Sequence, residues 1–300
     1  MSRLTNKELI EELKVRFHES DSALFDLKAM TKKLVKINKK LQESEALKSN
    51  FLSNIRNEIN NPLTSILGLS QQLLSAKEID CNTIRDIISL IHEESFNLDF
   101  QIKNIFAAAE LESGETSIGV SIVDVVAMFD NIISSFRHYA ENKNVKIEMV
   151  YDWDDDEQSE IFFKTDPEKL GLVVSNLISN AIEFSNEDGK VEVKLWMEDG
   201  SLRIDVKDNG VGMDNSELDV IFDRFRQVET GSTKTHRGHG LGLSITQAIL
   251  DLLDGSISVS SSKGAGSVFS VTIPESMGPE TEGFSSDGNE FIFEDEGEKF

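Results

Sequence analysis

Asn176-Leu177-Ile178-Ser179-Asn180-Ala181, followed by Asp208-Asn209-Gly210-Val211-Gly212 and then His236-Arg237-Gly238-His239-Gly240-Leu241-Gly242-Leu243, decides the fold of the C-terminal half. The first stretch lies in a helical pattern that begins after Thr165-Asp166-Pro167. Asp166 is a natural N-cap there and Pro167 suits the first turn. The i,i+4 spacing puts Asn176 and Asn180 on one helix face. Asparagine is a poor helix former, so the pair is either two satisfied surface amides or a polar site. In a site, Asn180 would offer a hard oxygen donor to Mg2+, and Asn176 would position water or phosphate. The second stretch follows a strand. Asp208 is placed to accept a hydrogen bond from an exocyclic amine, while the glycines let backbone approach a flat ring; equally, many strands end in such turns. The third puts three glycines before a helix, so that free N–H groups and the helix dipole face a phosphate. Each signal is weak alone. The three in this order, on these elements, are specific.

The flanking pattern supplies the scaffold. A helix is expected over about 123–142, capped by Asp124 or an earlier residue, then a strand over 145–150 and an acidic loop over 152–157. Val191, Val193 and Leu195 alternate, Glu198-Asp199-Gly200 turns the chain, and Leu202, Ile204 and Val206 alternate on the return. A second hairpin carries Ile257 and Val259 on one arm and Phe269, Val271 and Ile273 on the other, with Lys263-Gly264-Ala265-Gly266 at its turn. Strand runs mixed with helices predict an α+β sandwich rather than a doubly wound sheet.

The N-terminal half is helical. Residues 4–50 contain no proline or glycine, and Ile10, Leu13, Phe17, Leu24, Leu27, Leu34 and Leu41 follow 3-4 spacing. That fits a parallel coiled coil or a single amphipathic helix packed on its own domain. The helix continues through Phe51, Ile55, Ile59 and Leu63, with Pro62 as a local kink, to about Leu74-Ser75. A second helix presents Ile84, Ile88, Ile91, Ser95, Leu98, Ile102, Ile105 and Ala109 in 4-3 alternation. Two such hairpins bury both seams as a dimeric four-helix bundle. Residues 112–115 read as a linker.

Bulk properties narrow the classes. A net charge of −24 argues against nucleic acid and anionic membrane surfaces as partners. No apolar run of about 18 residues exists, so membrane insertion is not expected. The single Cys81 excludes an internal disulfide and fits a reducing cytoplasm. Residues 275–300 are acidic and aperiodic, and read as a disordered tail.

With the three C-terminal stretches, Phe51-Leu52-Ser53-Asn54-Ile55-Arg56-Asn57-Glu58-Ile59-Asn60-Asn61-Pro62-Leu63 completes a pattern. From about residue 47 to 274 the chain resembles the core of sensor histidine kinases of two-component systems. That core is a dimerisation and phosphoacceptor hairpin followed by a Bergerat-type ATP-binding domain with an α/β sandwich fold. The resemblance divides the chain into an N-terminal coiled-coil signalling helix (1–46), the hairpin (47–114), the ATP-binding catalytic domain (118–274) and the acidic tail (275–300). It implies ATP and Mg2+ as cofactors, with Mg2+ at Asn180. Asn176 lies in the family's asparagine box, and Asp208, Gly210 and Gly212 in the adenine-binding glycine box. Ile221-Phe222-Asp223-Arg224-Phe225 matches the phenylalanine box. Residues 226–240 would be the ATP lid, with Gly238, Gly240 and Gly242 facing phosphate and His239 in place of a frequent threonine. It also implies a homodimer, or a heterodimer with an intact kinase, and a response-regulator receiver domain as partner.

The chain departs from this family at two positions. Where the family carries its phosphorylated histidine stands Asn57, whose carboxamide lone pair is delocalised into the carbonyl and makes a poor nucleophile. Glu58, the family's activating base, then has nothing suitable to activate. Glu183 stands where many relatives have a phosphate-facing lysine, and would repel nucleotide or enlist a second cation. The other histidines do not replace position 57; His18, His92 and His138 are expected to be structural or solvated. Four residues after Asn57, Asn61 occupies the position that orients water for regulator dephosphorylation in the family. The resemblance therefore leads to an ATP-binding histidine-kinase-like protein without cis autophosphorylation. A regulator phosphatase using Asn61, or a non-enzymatic dimeric scaffold, are the alternatives.

Overall fold

The computed structural model describes residues 6–76, 80–114, 116–152, 160–218, 220–223 and 241–278. Side chains are described from Ile55 onward except at Glu58, and at selected positions before it. The chain divides into two compact units, residues 1–54 and 55–300.

The first unit is helical. It holds the beginning of helix α1, which spans Asn6–Ser75. Phe17, Leu24, Leu27, Leu34 and Leu41, all on the expected seam, are each more than half exposed on the single chain.

The second unit opens with the rest of α1, which runs through Pro62 to Ser75. Helix α2 follows at Cys81–Ser113. Asp80 caps it, its Oδ1 accepting from the Asn82 and Thr83 N–H groups at 2.9 Å. Gly114 ends it in the left-handed region at φ 70°, which a residue without Cβ adopts at low cost. The 4-3 seam of α2 is left uncovered at Ile88, 53% exposed, whereas its neighbour Ile87 is buried.

The remaining elements build the sandwich. Strand β1 (Ser121–Asp124) leads into helix α3 (Val125–Asn142), then β2 (Lys146–Tyr151) and β3 (Phe162–Thr165). Helix α4 (Pro167–Phe184) precedes the β4–β5 hairpin (Lys190–Glu198, Ser201–Asp208) and the one-turn helix α5 (Asn215–Leu218). Helix α6 (Gly242–Leu252) and the β6–β7 hairpin (Ser256–Ser262, Gly266–Pro274) complete the fold. The main sheet has the order β2-β4-β5-β7-β6, with β2 parallel to β4 and the other pairs antiparallel. Val191, Val193, Leu195, Leu202, Ile204, Val206, Val271 and Ile273 point to the covered face and are almost fully buried. Glu192, Lys194, Arg203 and Asp205 alternate onto the other face, as expected when helices cover one side only. Helix α4 is central in the helical layer. Its Leu170, Val173, Val174, Leu177, Ile178 and Ile182 have no more than trace exposure.

The caps and turns behave as local chemistry dictates. Asp124 Oδ1 accepts from Val126 N at 3.0 Å and starts α3. Asp166 Oδ1 accepts from Lys169 N at 3.0 Å and starts α4. Asp199 and Gly200 both have positive φ, 52° and 72°, which matches the twist of a two-residue hairpin. The small antiparallel sheet of β1 and β3, with Ser121 opposite Thr165, is additional to the expected strands.

Helix α2 meets the sandwich at α3 and at α6. The Phe96 and Phe100 rings meet Phe136 edge-on at 5.2 and 5.8 Å. Beside them Asn142 Nδ2 donates to Glu93 Oε2 at 2.7 Å, and Ser89 Oγ lies 3.1 Å from His138 Nε2. His138 thus has the structural role expected of it, and His92 is exposed. After β7, Glu275 N donates to Gly200 O and Ser276 N to Lys164 O. The disordered tail was expected from 275, but these bonds tie Glu275 and Ser276 to the fold; the tail beyond 278 and most of the acidic loop lie outside the described residues.

Candidate functional site

Helix α4 organises the site. Its apolar stripe faces the sheet, which fixes the rotation of the helix and sends its asparagine face elsewhere. Asn176 is 3% exposed, and its Nδ2 has no hydrogen-bond partner among the described residues. A buried amide left in this state is a group awaiting a partner. Asn180, one turn on, is half-buried. The first residue of α6 comes close by: a Cβ at Gly242 would lie 3.2 Å from Asn176 Oδ1. So the N-terminus of α6, with no side-chain cap at Leu241, opens against the asparagine face of α4.

The C-terminal end of α4 meets the loop after β5. Val211 N donates to Phe184 O at 3.2 Å, and Asn186 Nδ2 to Asn209 O at 2.7 Å. A side chain at Gly210 would put Cβ 1.9 Å from Phe184 O, so only glycine permits this approach. Gly212 has φ 59°, and a Cβ there would stand 2.0 Å from Ser262 O. These two glycines bring the loop between α4 and the β6–β7 turn.

Asp208, the last residue of β5, is 4% exposed. Its Oδ1 accepts from Gly210 N at 2.8 Å. Burial is the largest influence on the carboxyl and pushes its pKa up from the ordinary value. The Gly210 N–H and the Ser267 N–H and hydroxyl oppose that shift by donating to the charged form. A buried carboxylate is an unusual choice for a turn.

Glu183, expected to repel nucleotide or enlist a second cation, is paired within the fold. Lys143, just past the end of α3, places Nζ 2.5 Å from Glu183 Oε2 and 3.2 Å from the Glu183 carbonyl oxygen. The Tyr139 hydroxyl also donates to Glu183 Oε2.

The structure thus brings Asn176, Asn180, Asp208, Gly210, Gly212 and Gly242 together around α4. Gly238, His239 and Gly240, with the rest of the expected lid, lie outside the described residues, as does the Glu58 side chain. Asn57 and Asn61 are both exposed on α1, one turn apart. Lys143, Tyr139, Gly266 and Ser267 were not singled out by sequence. Gly264-Ala265-Gly266 had signalled only a turn; a Cβ at Gly266 would come within 2.1 Å of Asp208 O.

Comparison with known proteins agrees with this geometry. Residues 165–277 match the family described as histidine kinase-, DNA gyrase B-, and HSP90-like ATPase. Residues 47–114 match the His Kinase A (phospho-acceptor) domain. Over 244 residues the chain is 30% identical to the circadian input-output histidine kinase CikA of Synechocystis sp., covering 80% of this chain and 32% of that protein. It is 30% identical to the autoinducer 2 sensor kinase/phosphatase LuxQ of Vibrio parahaemolyticus, covering 78% and 27% respectively. The chain therefore spans about a third or less of these relatives. Full-length ShkA, solved in complex with AMPPNP, shares the fold with a TM-score of 0.52 at 21% identity, over 77% of this chain and 46% of that one. Among the described residues no helix is long and apolar enough to cross a membrane. The helical hairpin, the mixed sheet under α3, α4 and α6, and these matches make the chain a sensor histidine kinase core, with a phospho-acceptor-type hairpin and an ATPase domain of the histidine kinase class.

Proposed function

We propose that the chain binds Mg-ATP and signals as a histidine-kinase-like dimer that does not phosphorylate itself in cis. The carrying observation is that Asn176, Asn180, Asp208, Gly210 and Gly242 lie on or beside α4 and its neighbouring loops, while an exposed carboxamide, Asn57, stands at the acceptor position of the hairpin. Asp208 receives the adenine amine, and Gly210 and Gly212 let the ring approach. Asn180 supplies an amide oxygen of the hard kind that Mg2+ prefers, while the buried Asn176 Nδ2, without a hydrogen-bond partner among the described residues, is a donor suited to a phosphate oxygen or a positioned water. When bound, Mg2+ neutralises phosphate charge. The uncovered apolar positions of α1 and Ile88 of α2 support a parallel coiled coil continuing into a four-helix bundle, with a second copy or an intact kinase as partner. The surroundings we infer are cytoplasmic. Calorimetric titration should give saturable Mg-ATP binding, while incubation with labelled ATP leaves the protein without acid-labile phosphate. Label appearing on the chain itself would overturn the proposal. Absence of any nucleotide binding would leave a scaffold role in its place.

A second reading rests on Asn61. Its amide is exposed one turn beyond Asn57, free to meet a receiver domain docked on the hairpin. Positioning water at an aspartyl phosphate needs no phosphohistidine, and one relative carries both kinase and phosphatase in its name. The chain should speed loss of aspartyl phosphate from its cognate regulator, and Asn61→Ala should slow that loss by roughly 100-fold, the usual cost of one positioned donor. Equal decay with and without the protein would exclude the activity.

A further inference from the structure

Glu183 lies in an unfavourable place for a polyanion site. It follows Asn180 by three residues on α4, so the two side chains are neighbours on one face, and it is 8% exposed. A carboxylate beside a triphosphate raises the energy of the complex unless a cation intervenes. A cation beside Glu183 is Lys143, with Nζ 2.5 Å from Oε2. Its backbone is fixed, since Lys143 N–H donates to Ala140 O and Glu141 O at the end of α3. Its side chain is not fully enclosed: it is 33% exposed, against 9% for Glu183. Glu183 also has a neutral donor in Tyr139, so it retains a hydrogen bond without the lysine. Tyr139 meets the carboxylate with a neutral hydroxyl. Lys143 meets it with a charged end on a flexible four-carbon stem, paired to the residue three past Asn180.

We propose that Lys143 is the phosphate-binding cation of the nucleotide site. On nucleotide binding its ammonium passes from Glu183 to a phosphate oxygen, while Tyr139 keeps the carboxylate hydrogen-bonded. The charge that reads the phosphates is thus delivered from α3, from outside the asparagine helix, and Glu183 holds it ready. This rests on the Mg-ATP reading above.

The test compares ATP, ADP and adenosine binding by calorimetry in Mg2+ for the parent chain, Lys143→Met, and the double variant Lys143→Met/Glu183→Lys. Lys143→Met should weaken ATP by about 10-fold, as expected for a charge-assisted hydrogen bond, and leave adenosine within about 2-fold. The double variant returns a cation to α4 and should recover most of the ATP affinity. Thermal melts accompany each titration, and Lys143→Gln replaces Lys143→Met if the latter loosens the α3–α4 junction. Equal losses for ATP and adenosine would reduce Lys143 to a structural clamp and overturn the proposal. So would unchanged ATP binding, or a double variant no better than the single. If the parent chain binds no adenine compound, the nucleotide site itself is wrong and both readings fall; if parent and variant bind ATP alike, only the lysine's role falls.

Discussion

Asn57→His should gain acid-labile phosphate from ATP where the parent chain gains none. The imidazole nitrogen carries a localised lone pair, which the carboxamide of Asn57 lacks. The neighbouring Glu58 would then have a ring N–H to accept, which orients the imidazole and raises its basicity. The substitution is structurally mild. Position 57 is exposed on α1, and histidine and asparagine have similar helix propensities. Label incorporation followed by acid and alkali treatment reads the outcome directly, since a phosphorylated nitrogen is lost in acid and kept in alkali. The expected change is from background to a readily measured fraction of the protein. If Asn57→His binds Mg-ATP and remains unlabelled, the amide is not the sole obstacle.

Asp208→Asn should remove ATP binding and make the protein more stable. The binding loss follows from replacing a charged acceptor with a group that also presents an N–H2 donor; about 100-fold is the expected scale. The stability gain follows from burial. A carboxyl whose pKa is raised in the fold favours folding in its neutral form, and that contribution is complete below its unfolded value. It is lost as pH rises through the folded value. Asp208 is such a group, raised above 3.8 by desolvation, so at neutral pH its charge costs stability. Asparagine keeps an acceptor for the Gly210 N–H without that charge. Relief of that cost should raise the melting point at neutral pH. The difference between the two proteins should shrink as pH falls towards 4. An Asp208→Asn variant that melts lower at pH 7 would show that the carboxylate is needed by the fold rather than kept for a ligand.

Much of this was legible in the chain because short-range chemistry controlled it. Asp166-Pro167 marks the start of α4 whatever else surrounds it, and Asp199-Gly200 dictates its hairpin. The places of Asn176 and Asn180 on one helix, of Asp208 at a strand end and of Gly242 at a helix start were legible for the same reason. The small β1–β3 sheet was not. Its strands are four residues each, too short to show a period, and Ser121 pairs with Thr165 across α3 and β2. Nor could spacing reveal that Glu183 is met by Lys143 and Tyr139. That contact depends on where α3 comes to rest beside α4, which the sheet beneath both helices decides. The buried state of Ile87 in place of Ile88 has a similar origin, since periodicity marks a seam without saying which molecule covers it.

The two edge-on ring pairs that join α2 to α3 have an energetic consequence. At about 1 kcal/mol for each aromatic pair, Phe96 and Phe100 against Phe136 contribute on the order of 2 kcal/mol to the hold of α2 on the nucleotide-binding half, with the Asn142–Glu93 bond and the contact of α2 with α6 adding to it. Each of these contacts is made by a side of α2, so a rotation of that helix would be felt first at Phe136.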